Sequence, residues 1–179
     1  MTLDVRASRI AYENPWFRVR EDDFVRPDGT RSTYGVVERG DFATVIAFDG
    51  ERVQLVRQWR HPVGAWSLEL PQGGWDAEPE GDAEALAALE LREETGFTAD
   101  AYEHLGRLWL AVGSSSQGYD VFLATGLIAG PADRGADEQT MTVEAHTPAE
   151  LDELIANGTI RDSSTLASLQ LWALRERRR

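Results

Sequence analysis

The sequence contains no cysteine, and this absence excludes several kinds of chemistry. Without thiols there can be no disulfide bond, no thiolate zinc site and no cysteine nucleophile. The sequence also lacks a run of about 18 apolar residues, so no segment is predicted to span a membrane. The first residues do not show the apolar stretch of a secretory signal peptide. We therefore expect a cytoplasmic protein.

Positive charge is also scarce in this chain. Lys and Arg total 18 against 31 Asp and Glu, which gives a formal net charge of -13. Nucleic acids and anionic membrane surfaces bind basic faces, so neither is a predicted partner. The 179 residues fit one domain, or one domain with a small added element. The 42% of hydrophobic residues is ordinary for a globular protein.

Turn residues divide the chain into predicted strands and helices. Extended patterns at 16–26 and 31–38, joined by the turn Pro27-Asp28-Gly29, predict an N-terminal β hairpin. A helix is predicted to begin after the N-cap Asp82 and to end at Gly96. Further strands are predicted at 42–48, 53–59, 66–70, 104–112, 119–124 and 141–145, and further helices from 147 and at 163–174. The result is a mixed sheet with one mid-chain helix and two at the end, an α+β layout.

Three carboxylates crowd the last turn of the predicted mid-chain helix. Glu90, Glu93 and Glu94 fall within an arc of roughly 100° on a helix, at i, i+3 and i+4. Like charges at these spacings destabilise a helix by about 0.2–0.5 kcal/mol each, and the helix dipole disfavours anions there. Two interpretations stay open: a solvated acidic helix end, or hard oxygen ligands for Mg²⁺ or Mn²⁺.

The stretch from Glu69 to Phe97 resembles the signature of the Nudix hydrolase family. It contains Glu69-Leu70-Pro71-Gln72-Gly73 and, after a loop, Glu90-Leu91-Arg92-Glu93-Glu94-Thr95-Gly96-Phe97. The family signature is a Gly, five residues, a Glu, seven residues, then Arg-Glu-apolar-any-Glu-Glu-any-Gly-apolar. The shared Glu-Glu-any-Gly core is a fairly specific likeness.

Other segments resemble the ADP-ribose pyrophosphatase branch of that family. Residues 12–38 resemble its N-terminal β extension, 56–60 its strand ending in Gln-aromatic-Arg, and 160–171 its closing helix. The resemblance implies an α/β/α sandwich with a mixed sheet and an N-terminal β extension. The implied domains are residues 1–39, the extension, and 40–179, the Nudix domain.

The N-terminal extension is also a predicted dimer element. It carries aromatic residues that a small domain would not bury alone, namely Trp16, Phe17, Phe24 and Tyr34. The resembled branch forms dimers through this region. We therefore expect a homodimer.

The resemblance implies which residues bind metal and carry the catalysis. Glu90, Glu93 and Glu94 match the metal-ligand glutamates, and Gln72 stands where the family offers a backbone carbonyl to a metal. Glu93 and Glu94 are also expected to be catalytic. The general base of the branch lies on a late loop, where Glu138 is the favoured residue and Asp137 the alternative; either residue could instead be a solvated loop acid.

The resemblance also implies residues that contact the substrate. Arg60 matches an Arg placed near the substrate phosphates, and Glu69 lies in the strand before the signature. Arg57 could add a charge-assisted contact, or it could be a surface residue of its strand. Gln117 stands where the branch often has Glu. We expect all four to belong to the substrate site.

The implied activity is hydrolysis of a diphosphate. A metal-dependent enzyme of this kind cleaves a nucleoside diphosphate sugar similar to ADP-ribose into a nucleoside monophosphate and a sugar phosphate. Mg²⁺ or Mn²⁺ neutralises the diphosphate and lowers the pKa of a bound water. This role of the metal explains how a strongly acidic chain can bind an anionic substrate.

The signature is incomplete at the residue before the first helix glutamate. Leu89 stands where the family has an Arg that pairs with a glutamate and orients it. Loss of that pair could weaken metal binding, or another base could replace it. The alternative function is a Nudix-like module that binds nucleotide sugars and is catalytically weakened.

The spacing of the signature also differs. Counting back from Phe97 puts Trp75 at the position of the signature Gly and Gly81 at the position of the upstream Glu. A longer loop repairs this, with Gly73 or Gly74 in place of the Gly and Glu80 or Asp82 in place of the Glu.

Overall fold

The computed structural model describes residues 3–75, 82–135 and 140–178. The chain forms two compact units. The first comprises Met1–Asp41 and Trp109–Gly118, and the second comprises Phe42–Leu108 and Tyr119–Arg179. The predicted boundary between residues 39 and 40 stays a prediction, and the assignment of 109–118 to the first unit was not foreseen from sequence.

The first unit is built on a three-stranded antiparallel sheet. Its strands are β1 (Asp4–Glu13), β2 (Arg18–Val25) and β3 (Arg31–Glu38), in that order. The predicted hairpin is β2 and β3, joined by a turn in which Gly29 has φ of 84°. Strand β1 was not predicted from sequence. Every residue of β1 is exposed, so it lacks the alternation of buried and exposed residues that marks a half-buried strand.

Most, but not all, of the aromatic residues predicted to form a dimer surface are exposed in this unit. Trp16 is 72% exposed, and Phe17 and Tyr34 are also exposed. Phe24 is buried, so its inclusion in that surface was wrong. The guanidinium of Arg26 lies over its ring, 5.8 Å from the centroid. Phe24 therefore serves the small core of its own unit.

The second unit contains a mixed sheet, as the sequence predicted, and within the described residues this sheet has seven strands. The main strands lie in the order β10-β5-β4-β9-β8, while β6 pairs with β5 and β7 pairs with β4. Strands β4 and β9 are parallel. The strands are β4 (Phe42–Phe48), β5 (Val53–Arg60), β6 (Ala65–Glu69), β7 (Gln72–Gly73), β8 (Phe97–Trp109), β9 (Gly118–Ala129) and β10 (Thr142–His146).

Three α-helices of the second unit lie within the described residues, and each begins at an N-cap side chain. They are α1 (Ala83–Thr95), α2 (Pro148–Ala156) and α3 (Ser163–Glu176). Asp82 caps α1 and Asp162 caps α3, while Thr147 and Glu150 form a capping box on α2. These side chains satisfy N–H groups that have no partner inside the helix. Gly96 ends α1 with φ of 79°, as predicted.

The central strands are buried on both faces of the sheet. Along β4, Ala43, Val45 and Ala47 pack with the apolar residues of α1, whereas Ile46 packs with those of α2 and α3. Side chains of a strand alternate between faces, so an almost continuous apolar run such as Phe42–Phe48 fills two cores. The helices therefore cover both faces of the sheet, which is the predicted α/β/α sandwich.

Within the described ranges, no helix combines the length and the apolar character needed to cross a lipid bilayer.

Candidate active site

The last turns of α1 bring two of the predicted glutamates into the interior. Glu90 is 8% exposed and Glu94 only 2%. They lie four residues apart on the helix face that also buries Leu91. Glu93 is half-buried and forms an ion pair with its neighbour Arg92, with 3.7 Å between Nη2 and Oε1. The interpretation of a solvated acidic helix end is therefore wrong for Glu90 and Glu94.

A glycine of the short strand β7, which precedes α1, makes room for the Glu90 carboxylate. An ideal Cβ on Gly73 would lie 2.3 Å from Oε2 of Glu90 and 2.6 Å from Oε1. Such distances are far inside van der Waals contact, so a side chain at this position would displace the carboxylate. The structure thus supplies a physical reason for glycine at residue 73.

The next contact joins the same turn to Glu94. The backbone N–H of Gln72 donates to Oε2 of Glu94 at 3.0 Å. Residues 72 and 73 form the short strand β7, which pairs with β4 through Thr44 and Ala43. Two carboxylates of one helix therefore meet two successive residues of one strand, although 17 and 22 positions separate the two pairs in the sequence.

The donor chemistry of this meeting point fits a hard divalent cation. Glu90, Glu93 and Glu94 offer only carboxylate oxygens, and the Gln72 carbonyl adds the same type of donor. Within residues 3–75, 82–135 and 140–178, however, no three His, Asp or Glu side chains form a group that could already hold a metal ion. The complete ligand set stays a prediction.

Arg60 and Glu69, both predicted substrate residues, form a bidentate pair. Nε of Arg60 donates to Oε1 of Glu69 at 2.9 Å, and Nη2 donates to Oε2 at 2.6 Å. The Glu69 side chain is 3% exposed and that of Arg60 is 40% exposed. Burial lowers the pKa of Arg60, but the hydrogen bonds and charge of Glu69, with the charges of Glu94 and Asp162, raise this pKa above its ordinary value.

The sequence reasoning missed Asp162, which lies within reach of the same residues. Its Oδ2 accepts the Thr165 N–H at 2.8 Å and the Gln72 side-chain N–H at 3.3 Å. Burial raises the pKa of the Asp162 carboxyl, but hydrogen bonds from Ser164, Thr165 and Gln72 hold it below its ordinary value. The available signal was an Asp directly before a predicted helix, which indicates an N-cap but not its partners.

Arg134 was also missed, and it covers the end of α1. Its Nε donates to the backbone carbonyl of Glu94 at 2.9 Å, and its Nη1 donates to the carbonyl of Met141 at 2.7 Å. The Asp133 N–H donates to the carbonyl of Glu93 at 3.2 Å. The last carbonyls of a helix have no intrahelical donors, so the loop after β9 supplies them and neutralises part of the helix dipole.

The other predicted substrate residues are engaged elsewhere. Arg57 pairs with Glu144 across strands β5 and β10, with 3.1 Å between Nη2 and Oε2. Gln117 is buried in the first unit, where its Nε2 donates to the carbonyl of Gly40 at 2.6 Å. These contacts give both residues a structural role, and their contact with substrate stays a prediction.

Three residues of the predicted site cannot be placed. Glu138 and Asp137, the favoured and alternative bases, lie outside the described residues, as does Glu80. Asp82, the alternative to Glu80, serves as the N-cap of α1 and accepts the Ala85 N–H at 3.0 Å. Leu89 is half-buried on α1 at the position of the family's Arg.

Comparison with known proteins agrees with the signature. Residues 38–169 match the family model of the NUDIX domain, and residues 4–37 match that of the nucleoside diphosphate sugar hydrolase N-terminal domain. The two matches follow one another along the chain. Together they cover both units.

Several curated relatives match along most of their own length. An ADP-ribose pyrophosphatase of Mycobacterium tuberculosis is 34% identical, over 91% of this chain and 79% of the relative. A GDP-mannose pyrophosphatase of Cronobacter sakazakii is 30% identical, over 98% of this chain and 97% of the relative. A crystal structure titled ADP compounds hydrolase aligns with a TM-score of 0.85 at 18% identity, covering 98% of this chain and 94% of that one, and this likeness supports the fold. The chain belongs to the Nudix family, as its signature predicted.

Proposed function

We infer that the protein hydrolyses the diphosphate bond of a nucleoside diphosphate sugar of the ADP-ribose type. The meeting of Glu90 with Gly73 and of Glu94 with the Gln72 N–H is the observation that carries this inference. It places buried carboxylates of the Nudix signature at one turn. The similar proteins are named for pyrophosphatase activity on ADP-ribose and GDP-mannose, which are both substrates of this class.

In the proposed reaction, water adds to one phosphorus of the diphosphate. The bond from that phosphorus to the bridging oxygen breaks, and the bridging oxygen leaves with the other phosphate. The products are a nucleoside monophosphate and a sugar phosphate. One proton of the water must go to a base, and no oxidant or second substrate is needed.

The metal-binding residues in this proposal are Glu90, Glu93 and Glu94, with the backbone carbonyl of Gln72. Their oxygen atoms suit Mg²⁺ or Mn²⁺. When bound, such a cation neutralises the diphosphate and lowers the pKa of water. Burial and the contacts to residues 72 and 73 restrict the Glu90 and Glu94 carboxylates at the end of α1.

Arg60 is proposed to contact the substrate phosphates. A guanidinium carries five N–H donors, and the bidentate pair with Glu69 uses two of them. Glu69 thereby fixes the plane of the guanidinium. The Arg60 side chain, which is 40% exposed, stays accessible to the substrate. An arginine held in this way can recognise phosphate oxygens without losing side-chain freedom on binding.

The general base is proposed to be Glu138, with Asp137 as the alternative. Glu138→Gln and Asp137→Asn keep the size of each side chain and remove the carboxylate. A base contributes about 10²- to 10⁴-fold, so kcat should fall by that factor in one variant and change little in the other. If both variants kept the kcat of the wild type, both residues would be excluded as the base.

The decisive test is a substrate panel. ADP-ribose, GDP-mannose and related nucleotide sugars are incubated with the protein and Mg²⁺ or Mn²⁺, and phosphate is measured after phosphatase treatment of the products. Glu94→Gln should abolish turnover. Glu84→Gln, an exposed position on the same helix, is the matched control and should not. No turnover with any compound at several pH values would disprove the proposal.

The weakened binding module is the second candidate, because Leu89 replaces the Arg of the signature. In that case the protein would bind nucleotide sugars without hydrolysing them, and Glu94→Gln would leave the binding unchanged. Leu89→Arg provides a further comparison. An increase in activity would show that the missing Arg limits an otherwise competent site.

We further propose that the protein forms a homodimer in the cytoplasm. Aromatic surface is exposed in the first unit by Trp16 and Phe17, which lie between β1 and β2, and by Tyr34 on β3. Sedimentation of a monomer alone at micromolar concentration would contradict the dimer.

A further inference from the structure

The side-chain amide of Gln72 is hydrogen-bonded at both ends. Its Nε2 donates to Oε2 of Glu69 at 2.9 Å and to Oδ2 of Asp162 at 3.3 Å. Its Oε1 lies 2.6 Å from Oγ of Ser164 and 3.2 Å from Oγ1 of Thr44, which are hydroxyl donors. Carboxylates only accept, so a flipped amide would turn its oxygen toward two anions. The surroundings therefore allow one orientation.

Most of the partners of this amide are deeply buried. Thr44 is fully buried, and Ser164 and Glu69 are each 2% exposed. The Ser164 hydroxyl also lies 2.5 Å from Oδ2 of Asp162, so its one proton is shared between the amide and the carboxylate. A polar network with all of its members satisfied is rigid in a way that an exposed one is not.

The first turn of α3 also holds the backbone next to Gln72. Oγ1 of Thr165 accepts the Leu70 N–H at 3.0 Å, and Thr165 in turn donates its own N–H to Asp162. Contacts from α3 thus fix both Leu70 and Gln72. These residues follow Glu69, which pairs with Arg60, and Gln72 donates its backbone N–H to Glu94.

The charges of these groups are close enough to affect one another. The negative charges of Glu94 and Asp162 both contribute to raising the pKa of Arg60. The start of α3 therefore faces the same small region as the end of α1 and the end of β5. This agrees with the hydrogen bonds that link them through Gln72.

We propose that Asp162 and Ser164 are positioning residues, which hold Gln72 so that its carbonyl and the Glu94 carboxylate keep the geometry that a divalent cation requires. This rests on the proposed function, because it concerns the metal site of that reaction. Neither residue touches the substrate in this proposal. They act through the Gln72 amide and backbone.

The test compares Asp162→Ala, Asp162→Asn and Ser164→Ala with Thr147→Ala. Thr147→Ala is the matched control because it removes the N-cap of α2, which has no contact with Gln72 among the described residues. Mn²⁺ binding to each protein is measured by electron paramagnetic resonance without substrate. Melting temperatures and the Mn²⁺ dependence of ADP-ribose hydrolysis are then recorded.

Loss of an outer contact to a metal site lowers metal affinity or activity by about 10- to 100-fold. We expect that loss for Asp162→Ala and Ser164→Ala, with a smaller loss for Asp162→Asn, whose amide oxygen can still accept from Gln72 and Thr165. The control should lower the melting temperature and leave Mn²⁺ affinity unchanged. If Asp162→Ala does not fold, Ser164→Ala decides the result.

Unchanged Mn²⁺ affinity in Ser164→Ala and in any folded Asp162→Ala protein would overturn the proposal, and so would an equal loss in the control. The two proposals fail separately. A wild-type protein that binds Mn²⁺ but hydrolyses no nucleotide sugar would disprove the function and leave the positioning result valid. A wild-type protein that hydrolyses nucleotide sugars, with variants of unchanged Mn²⁺ affinity, would support the function and disprove the positioning role.

Discussion

Strand β5 carries two arginine–glutamate pairs only three residues apart, and they differ in their surroundings. Arg60 pairs with Glu69, whose side chain is 3% exposed, and Glu69 also accepts from Gln72. Arg57 pairs with Glu144, whose side chain is 30% exposed and which also lies 3.3 Å from His146. The residue types are the same, yet only the first pair belongs to the polar network of the candidate site.

Burial and hydrogen bonds to further polar groups distinguish an ion pair of the candidate site from a surface ion pair. An exposed pair contributes about 0–1 kcal/mol because water screens it. When a buried carboxylate loses its arginine partner, its negative charge is left in the interior without an opposite charge. This loss is far more destabilising than the loss of an exposed pair. Four experiments, ordered by expected effect, test this comparison.

Gln72→Glu should be the most damaging change. It places a carboxylate against Glu69 and Asp162, where the amide now donates to both. We expect a loss of about 3 kcal/mol in the free energy of unfolding at neutral pH, measured by urea denaturation. Gln170→Glu makes the same charge change at an exposed position of α3 and should alter stability by no more than about 0.5 kcal/mol. Similar losses in the two variants would refute the buried network.

Arg60→Ala and Arg57→Ala compare the two pairs directly. Removing Arg60 leaves the buried Glu69 without its bidentate partner, so we expect a loss of about 2–3 kcal/mol, somewhat less than for a fully buried pair. Removing Arg57 leaves a partly exposed Glu144 and should lower stability by less than about 1 kcal/mol. Urea unfolding of both variants measures the difference. Equal values would show that the burial of Glu69 is irrelevant.

Gly73→Ala tests how closely the candidate site is packed around the Glu90 carboxylate. The new methyl group would overlap the Glu90 carboxylate and push it aside. We expect about 10- to 100-fold lower metal-dependent activity, with a smaller change in stability. Gly35→Ala is the control, because a Cβ at that strand position has no heavy atom within 4 Å. Full activity of Gly73→Ala would contradict the proposed role of Glu90.

Glu144→Gln should show the smallest effect. The hydrogen bond from Arg57 lowers the pKa of Glu144, although burial opposes it. A lowered pKa in the folded state stabilises the protein above the unfolded value of about 4.3, and this stabilisation is lost as the pH falls through the folded value. We expect a difference from wild type of about 0.5 kcal/mol at pH 7 that vanishes in acid, measured by urea unfolding at several pH values. If the difference in the free energy of unfolding grew as the pH fell, the pKa of Glu144 could not be lowered in the folded state.

Local sequence patterns were enough to predict most of the helices and strands and to identify the acidic helix. Turn residues and caps marked the strand ends and the starts of α1 and α2, because these signals act within a few residues. The spacing of Glu90, Glu93 and Glu94 predicted a shared face for the same reason. Strand β1 was not predicted, because it is exposed throughout and has no buried face that would require alternating apolar and polar residues.

The partners that these residues contact became apparent only from the folded chain. It placed Gly73 against Glu90, paired Arg60 rather than Arg57 with a buried carboxylate, and brought Asp162 to Gln72. Gln72 and Asp162 are 90 residues apart in the chain. Contacts of that kind depend on strand register and on how α3 packs against the sheet. Local periodicity carries no information about either, so the glutamates could be recognised from sequence but the network that holds them could not.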